Sequence, residues 1–266
     1  MSEVTMRVSL LAHSQLSEGF RRELVEAPFF YTDGQVISLT STRTCYSANI
    51  PSNIVMQEGE KYFGRKATDG NQGNEADRLM RQIFASKHLS VTEHLTFTFA
   101  IEGVSRALLA QLTRHRVGFS FSVQSQRYVR MGSSDKTGGF DYVVPPSLNG
   151  KDTDSSRGTG FDEETGDLIF RKITALEEFE EAMSTLQSVY DRLRRAGVPP
   201  EDARMVLPNA AATNLVMTAN LRALLDFYGK RRKGRGAQWE IAELAEQLRR
   251  EVTKAEPWTA PYFEVA

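Results

Sequence analysis

One apolar repeat constrains the possible folds more than any other feature of this sequence. From Ile173 onward, apolar side chains recur every three or four residues, at positions 176, 179, 183, 186, 190 and 193. This spacing places them on one face of an α-helix. Gly197, Pro199 and Pro200 follow and supply the stop signal. The repeat therefore predicts a long amphipathic helix that needs an apolar core to pack against.

A second pattern indicates that a sheet accompanies the helices. Between Leu95 and Ile101 the sequence LTFTFAI alternates apolar residues with threonine, which is typical of a half-buried strand, and MRVSLLAH near the start resembles another. Further helical patterns cover residues 74–84, 105–116, 212–228 and 237–253. We therefore predict an α+β fold with one central mixed or antiparallel sheet, flanking helices and a helical C-terminal half.

Composition favours one domain spanning residues 1–266. The chain is 40% hydrophobic, which suffices for one sizeable core, and the Gly-, Ser- and Asp-rich stretch 131–168 is expected to be an exposed connection around a strand-like piece, DYVVPPSL. Cys45 is the single cysteine, so no internal disulfide is expected. The start of the sequence has no apolar run long enough for a signal peptide or a membrane span, which predicts a cytoplasmic protein.

The overall charge of the chain does not favour binding to polyanions. Lys and Arg number 33 against 34 Asp and Glu, for a formal net charge of −1. We therefore expect neither nucleic acid nor a membrane as a partner. Any anion-binding site must be local.

The densest polar segment, QLTRHRVGFSFSVQSQRY, occupies residues 111–128. Guanidinium groups stay charged at any working pH and form paired hydrogen bonds with phosphate, so Arg114, Arg116 and Arg127 are candidates for an anion site. An isolated Arg-His-Arg triplet is more often a set of surface ion pairs at a helix end. The triplet alone leaves both interpretations open.

The surrounding motifs resemble those of flavin-dependent thymidylate synthases. In that family Arg-His-Arg is followed after seven residues by serine, whereas here eight residues separate Arg116 from Ser125, with the extra residue placed between Arg116 and Ser120. KHLSVTEHLTFTFAI is similar to the family's GHxSxxEHxxFTF segment, and EDARMVLP, TANLRALLDFYGKR, GAQWEI and EPWTAPYF resemble further family segments. The resemblance covers roughly Cys45 to Phe263, and several ordered motifs are more specific than any one of them.

The resemblance implies two sets of binding residues. The flavin adenine dinucleotide would be bound by His88, Ser90, Arg114, His115, Arg116 and Asn220. The deoxynucleotide would be bound by Gln111, Ser125, Arg127, Arg204 and Arg231, with Arg231 also a candidate for the flavin and for reaching across from a neighbouring subunit. Two positions depart from the family pattern, because Val123 replaces a frequent Glu or Gln and the RRKGRG loop lacks a histidine that some members carry.

The reaction implied by the resemblance is methylation of dUMP to dTMP, with 5,10-methylenetetrahydrofolate as carbon donor, NADPH as reductant of the flavin and no metal. Arg127, Arg231 and Ser125 are the candidate catalytic residues. Ser125 is expected to hydrogen-bond to the nucleotide, because its glutamine neighbours offer no general base. Cys45 lacks the Pro-Cys-His setting of cysteine-dependent thymidylate synthases and is given no nucleophilic role. The family also implies a homotetramer with shared active sites.

Two other functions stay open. An RNA-binding module would use the Arg-His-Arg triplet and KRRKGR to follow phosphates, although no signature with interleaved stacking aromatics accompanies them. A flavoprotein of the same fold would act on another pyrimidine, or transfer a carbon to RNA uridine. Trp239 and Phe227 have helical surroundings and are predicted to be core residues.

Overall fold

A computed structural model describes residues 1–162 and 164–264. Its strands are β1 Arg7–His13, β2 Thr96–Ser105, β3 Phe119–Val123, β4 Asp152–Phe161, β5 Leu168–Thr174 and β6 Ala212–Asn220. Its helices are α1 Glu18–Glu23, α2 Asp33–Thr44, α3 Ile54–Phe63, α4 Glu75–Ala85, α5 Arg106–Leu112, α6 Ala175–Arg195, α7 Pro200–Ala203, α8 Leu221–Arg231, α9 Trp239–Ala255 and α10 Ala260–Glu264. Short 3₁₀ helices lie at Pro51–Asn53, Leu89–His94, Pro146–Leu148, Arg204–Val206 and Pro257–Thr259. The predicted α+β class is confirmed.

The chain forms two compact units, each assembled from separated stretches of sequence. The first unit contains Met1–Met6, Glu102–Ala110 and Val123–Asn214. The second unit contains Arg7–Ile101, Gln111–Ser122 and the chain from Leu215 onward. The single domain predicted from composition stays a prediction.

A four-stranded sheet has the strand order β1-β2-β6-β3. In β2 the side chains of Phe97, Phe99 and Ile101 are at most 1% exposed, while the intervening Thr98 and Ala100 are only partly buried. The alternation of buried and less buried side chains that predicted this strand is therefore confirmed. The strand predicted from MRVSLLAH is confirmed as β1.

The helix predicted over residues 212–228 is wrong in its first half. Residues up to Asn220 form β6, in which Thr213, Leu215, Met217 and Ala219 alternate as buried positions. Period-two burial and β-branched residues favour a strand here. The side-chain oxygen of Asn220 accepts a hydrogen bond from the backbone N–H of Ala223 over 2.8 Å and caps α8. Asn220 thus stands where the strand becomes a helix.

The helices predicted over residues 74–84 and 237–253 are confirmed. Asn74 begins α4 with a capping box that includes Asp77. The segment 237–253 forms α9. Phe227 is 1% exposed and belongs to the core as predicted, but the prediction for Trp239 is wrong. Trp239 is 38% exposed because it occupies the first residue of α9, where the side chain does not reach the core.

The first unit contains the long helix that the apolar repeat predicts, α6. Its buried Tyr190 accepts a hydrogen bond from the backbone N–H of Met131 over 3.2 Å. The predicted connection 131–168 is more ordered than expected, because β4 pairs antiparallel with β5 as an exposed hairpin. The strand-like piece DYVVPPSL is not a strand, since Tyr142 makes only isolated bridges to Glu3 and Ala211. Residue 163 of that connection lies outside the described residues.

In the part of the chain that the structure describes, no helix is both long enough and apolar enough to cross a membrane.

Candidate functional site

The Arg-His-Arg triplet lies in a turn after α5. The helix predicted over 105–116 ends at Leu112, whose carbonyl accepts a hydrogen bond from the backbone N–H of His115 over 3.0 Å. Arg114 and Arg116 are exposed, whereas His115 is half-buried. Because the helix ends early, the side chains of the triplet point in different directions. The two arginines face outward and the imidazole faces inward.

His115 packs inside the second unit and orients Arg231. Its ring lies edge-on to Phe227, with 4.8 Å between centroids. Arg231 Nε donates a hydrogen bond to His115 Nε2 over 3.1 Å. Burial, together with the charges of Arg231 and Lys230, holds the pKa of His115 below its ordinary value of 6.5. The imidazole is therefore neutral at pH 7 with Nε2 as the acceptor, and it fixes the direction of the Arg231 guanidinium.

The loop after the triplet meets the start of α8 through a glycine. The backbone N–H of Asn220 donates to the Gly118 carbonyl over 3.1 Å. Gly118 has φ +76°, and a Cβ there would lie 2.8 Å from Ala223 Cβ and 2.9 Å from Asn220 Nδ2. Only glycine permits both this backbone conformation and this approach. The extra residue predicted between Arg116 and Ser120 maps to this turn, which closes with a hydrogen bond from Phe119 N–H to the Arg116 carbonyl.

A cleft of about 1280 Å³ opens beside this junction, within the second unit. Its walls come from the end of α4, the 3₁₀ helix at 89–94, the turn after the triplet, α8 and α10. Its lining residues include Arg81, Phe84, Lys87, Leu89, Thr92, Glu93, Val117, Gly118, Asn220, Arg222, Ala223, Asp226, Lys230 and Tyr262. Such a volume exceeds the usual size of a drug-sized ligand site and suits a dinucleotide.

Six cleft residues with charged side chains were not predicted as site residues: Arg81, Lys87, Glu93, Arg222, Asp226 and Lys230. Arg222 pairs with Glu93 over 2.5 Å, and Lys230 pairs with Asp226 over 2.7 Å. Glu93 and Arg222 lie within segments that resemble the family, next to His94 and two residues after Asn220. Their position in these segments was the sequence evidence that could have identified them. Asp226 and Lys230 also lie within the family-like segment TANLRALLDFYGKR, but their place in the cleft becomes visible only in the fold.

His88 and Ser90 lie at the edge of this region. The side chain of His88 shares a hydrogen bond through Nδ1 with the Tyr46 hydroxyl over 2.7 Å, and the two rings meet edge-on. Its chain neighbours Lys87 and Leu89 line the cleft. Ser90 is exposed on the 3₁₀ helix. The flavin roles predicted for His88 and Ser90 stay predictions.

Three of the predicted nucleotide contacts gather in the first unit around Glu201 of α7. Arg127 Nε donates to Glu201 Oε2 over 2.9 Å, and Arg204 Nε donates to the Glu201 carbonyl over 3.0 Å. Ser125 Oγ accepts from the backbone N–H of Arg127 over 3.2 Å. Because the Arg127 and Glu201 side chains are about half exposed, an incoming anion can compete for the guanidinium. Glu201 was not predicted from the sequence.

The predicted site residues thus divide between the units. Ser125, Arg127 and Arg204 belong to the first unit. The second unit contains Gln111, half-buried on α5, together with His88, Ser90, Arg114, His115, Arg116, Asn220 and Arg231. Two of these, His115 and Arg231, are in direct contact.

A family model described as thymidylate synthase complementing protein matches residues 29–258. That stretch contains all the predicted site residues.

Curated flavin-dependent thymidylate synthases are similar to this chain. The Geobacter sulfurreducens protein is 41% identical over 179 residues, which cover 67% of this chain and 66% of the relative. The Nitratidesulfovibrio vulgaris protein is 46% identical over 170 residues, 64% of this chain and 61% of the relative. The Halobacterium salinarum protein is 37% identical over 203 residues, 74% of this chain and 79% of the relative. The chain thus spans about two thirds of the length of the first two relatives.

A solved structure has a similar fold. The crystal structure of a UMP/dUMP methylase, PolB from Streptomyces cacaoi bound with 5-Br dUMP, superposes with a TM-score of 0.67. The superposition covers 99% of this chain and 97% of that chain at 21% identity. At this identity the likeness concerns the fold alone.

Proposed function

Because the chain belongs to the thymidylate synthase complementing protein family, whose curated relatives compared above are flavin-dependent thymidylate synthases, we propose that it methylates dUMP to dTMP. The carbon donor is 5,10-methylenetetrahydrofolate, and NADPH supplies the reducing electron pair, so that the other products are tetrahydrofolate and NADP⁺. The observation that carries the proposal is the junction of the family motifs in the second unit, where Arg231 meets His115 and Gly118 meets Asn220 beside a large cleft.

The cleft fits flavin adenine dinucleotide. It is large enough for a dinucleotide, and Gly118 lets the turn after the triplet lie directly against Asn220 in the wall of the cleft. The basic residues Arg222 and Lys230 supply N–H donors that suit phosphate and carbonyl oxygens. His88, Ser90 and the Arg-His-Arg triplet are the further flavin contacts that we propose. No metal takes part in the proposal.

In the first unit, Arg127 and Arg204 are the proposed anion contacts of dUMP. Arg127 and Arg204 each use only Nε in their hydrogen bonds to Glu201, so their terminal N–H groups stay available to a ligand. The remaining N–H groups suit a phosphate or a uracil carbonyl. Ser125 adds a hydroxyl beside Arg127. Gln111 and Arg231, which belong to the second unit, are also proposed to contact the nucleotide.

Adding a methyl group to C5 of uracil requires an electron pair at C6, which makes C5 nucleophilic. Reduced flavin, when bound, supplies that pair as a hydride. The residues of this chain orient the nucleotide and stabilise charge: a guanidinium facing a uracil oxygen offsets the negative charge that develops there. Neutral His115 keeps Arg231 in one direction for this task. Cys45 is exposed and is assigned no part in the step.

We also propose a cytoplasmic homotetramer whose active sites are completed by neighbouring subunits. Sites shared between subunits would account for the spread of the proposed binding residues from His88 to Arg231 along the chain. Size-exclusion chromatography coupled to light scattering would test this directly. A fully active monomer would contradict it.

The substrate assignment is tested by giving the protein dUMP, UMP or uridine-containing RNA, each with methylenetetrahydrofolate, NADPH and flavin. We expect a methylated product from dUMP, with RNA failing to compete for turnover. Methylation of RNA uridine in preference to dUMP would replace the proposed substrate by the RNA alternative. Salt-sensitive RNA binding by a colourless protein would instead favour an RNA-binding module.

A further inference from the structure

Helix α4 ends in a backbone conformation that favours glycine, yet the residue there is Lys87. The N–H of Lys87 donates to the Phe84 carbonyl and the N–H of His88 donates to the Ile83 carbonyl, each over 3.1 Å. These two hydrogen bonds form a Schellman motif, which requires a left-handed residue directly after the helix cap. Lys87 has φ 59° and is the only non-glycine residue with positive φ in the ranges 1–162 and 164–264. The backbone alone would prefer glycine.

The charges of the cleft show what a lysine adds at this position. The cleft is lined by four basic residues, and three of them are paired with carboxylates: Arg81 with Asp69, Arg222 with Glu93 and Lys230 with Asp226. The exposed side chain of Lys87 has no such partner among the residues that the structure describes. Lys87 is therefore the uncompensated cation of the cleft, held in a strained conformation of the kind that is concentrated at ligand sites.

The wall around Lys87 is also aromatic. The rings of Phe84 and Tyr262 stack with 3.9 Å between centroids and 10° between planes, and both residues line the cleft. A free ammonium beside aromatic rings suits a phosphorylated aromatic compound better than a small inorganic anion.

We propose that Lys87 binds a phosphate group of a dinucleotide in this cleft. The assignment rests on the proposed function and deepens it, since it names a contact that the family motifs did not supply. Two dinucleotides of the proposed reaction carry such groups, the flavin adenine dinucleotide and NADPH. The shared chemistry is the phosphate ester, and binding experiments with each separate the two sources.

The test is the substitution Lys87→Gly, which removes both the backbone strain at positive φ and the ammonium group. In cofactor-stripped protein, we expect the Tm to rise by about 2–4 °C, because glycine suits positive φ. We expect the affinity for one dinucleotide to fall by about tenfold, the usual scale for a charged hydrogen bond. A weaker Kd for flavin with unchanged KM for NADPH assigns Lys87 to the flavin diphosphate, and the reverse result assigns it to NADPH.

Two further variants isolate the charge. Lys87→Arg should retain affinity, whereas Lys87→Met should lose it without a gain in Tm, because the left-handed strain remains. Lys254→Gln is the matched control, since Lys254 is exposed on α9 and does not line the cleft. Equal affinities of wild type and Lys87→Gly for both dinucleotides, with a raised Tm, would overturn the role of Lys87 but not the proposed function. A wild-type protein that binds neither dinucleotide would overturn the proposed function as well.

Discussion

Arg231 Nε donates a hydrogen bond to His115 Nε2 over 3.1 Å, joining two family motifs that are 116 residues apart. The bond exists only while Nε2 of the imidazole carries no proton. Protonation would remove the acceptor and place a second cation beside Arg231, in surroundings that already hold Lys230 and Arg114, with Asp226 as the opposing charge. The alignment of Arg231 should therefore be sensitive to acid.

The first prediction concerns stability against pH. The folded-state pKa of His115 lies below the ordinary value of 6.5, so between those two values the unfolded chain binds more protons. The stability contributed by neutral His115 is fully present above 6.5 and is lost as pH falls towards the folded-state pKa. Denaturant unfolding between about pH 7.5 and 5.5 should show wild type losing more stability than His115→Gln, which does not titrate. Parallel profiles would contradict the prediction.

The second prediction concerns Arg127. Removing a guanidinium that contacts a phosphate or a developing oxyanion should lower kcat/KM for dUMP by about a hundredfold or more. Arg127→Ala is compared with Arg192→Ala, since Arg192 is an exposed arginine of α6 in the same unit. Wild-type kinetics in Arg127→Ala would refute the nucleotide site.

The third prediction concerns Glu201, which forms an ion pair with Arg127. Glu201→Gln removes the carboxylate charge while keeping the size of the side chain, and it leaves the backbone carbonyl that anchors Arg204. With less competition for the guanidinium, dUMP should bind more tightly, with an unchanged or lower KM. A large rise in KM would mean that Glu201 positions Arg127 rather than competing with its ligand.

The fourth prediction concerns Ser125. Its hydroxyl already accepts a hydrogen bond from the Arg127 backbone over 3.2 Å, and it is proposed to bind the nucleotide rather than attack it. Ser125→Ala should keep measurable turnover with a raised KM. Complete loss of turnover with intact nucleotide binding would make the serine a nucleophile.

The fifth prediction separates backbone strain from the close approach at Gly118. Gly118 and Gly70 have φ +76° and +78°, but only at Gly118 would a Cβ meet other atoms within 4 Å. Gly70→Ala should cost about 1 kcal/mol in the free energy of unfolding, through φ alone. Gly118→Ala should cost more and weaken flavin binding, because Asn220 must move. Equal effects of the two substitutions would refute the role given to this contact.

Strong local periodicity explains what could be predicted from the sequence. Helix α6 and strand β2 each bury one face, so their apolar spacing is visible without the fold. Strand β6 was missed because its apolar residues run directly into those of α8, and only the cap at Asn220 separates the two elements. Local patterns do not reveal where such a change of period occurs.

Long-range geometry explains what could not be predicted. The motifs identified His115 and Arg231, but their contact depends on α8 packing beside the turn after α5. Glu201 begins the family-like segment EDARMVLP, but its contact with Arg127, 74 residues away, becomes visible only in the fold. The left-handed conformation of Lys87 likewise becomes visible only in the folded end of α4.

All the assigned binding roles depend on the proposal that this chain forms dTMP in a flavin-dependent reaction. The most direct measurement is anaerobic formation of dTMP from dUMP, methylenetetrahydrofolate and NADPH by cofactor-stripped protein, with and without added flavin adenine dinucleotide. Product formation only when the flavin is added is the predicted result. A protein that binds the flavin and is reduced by NADPH, yet forms no dTMP, would contradict the claim.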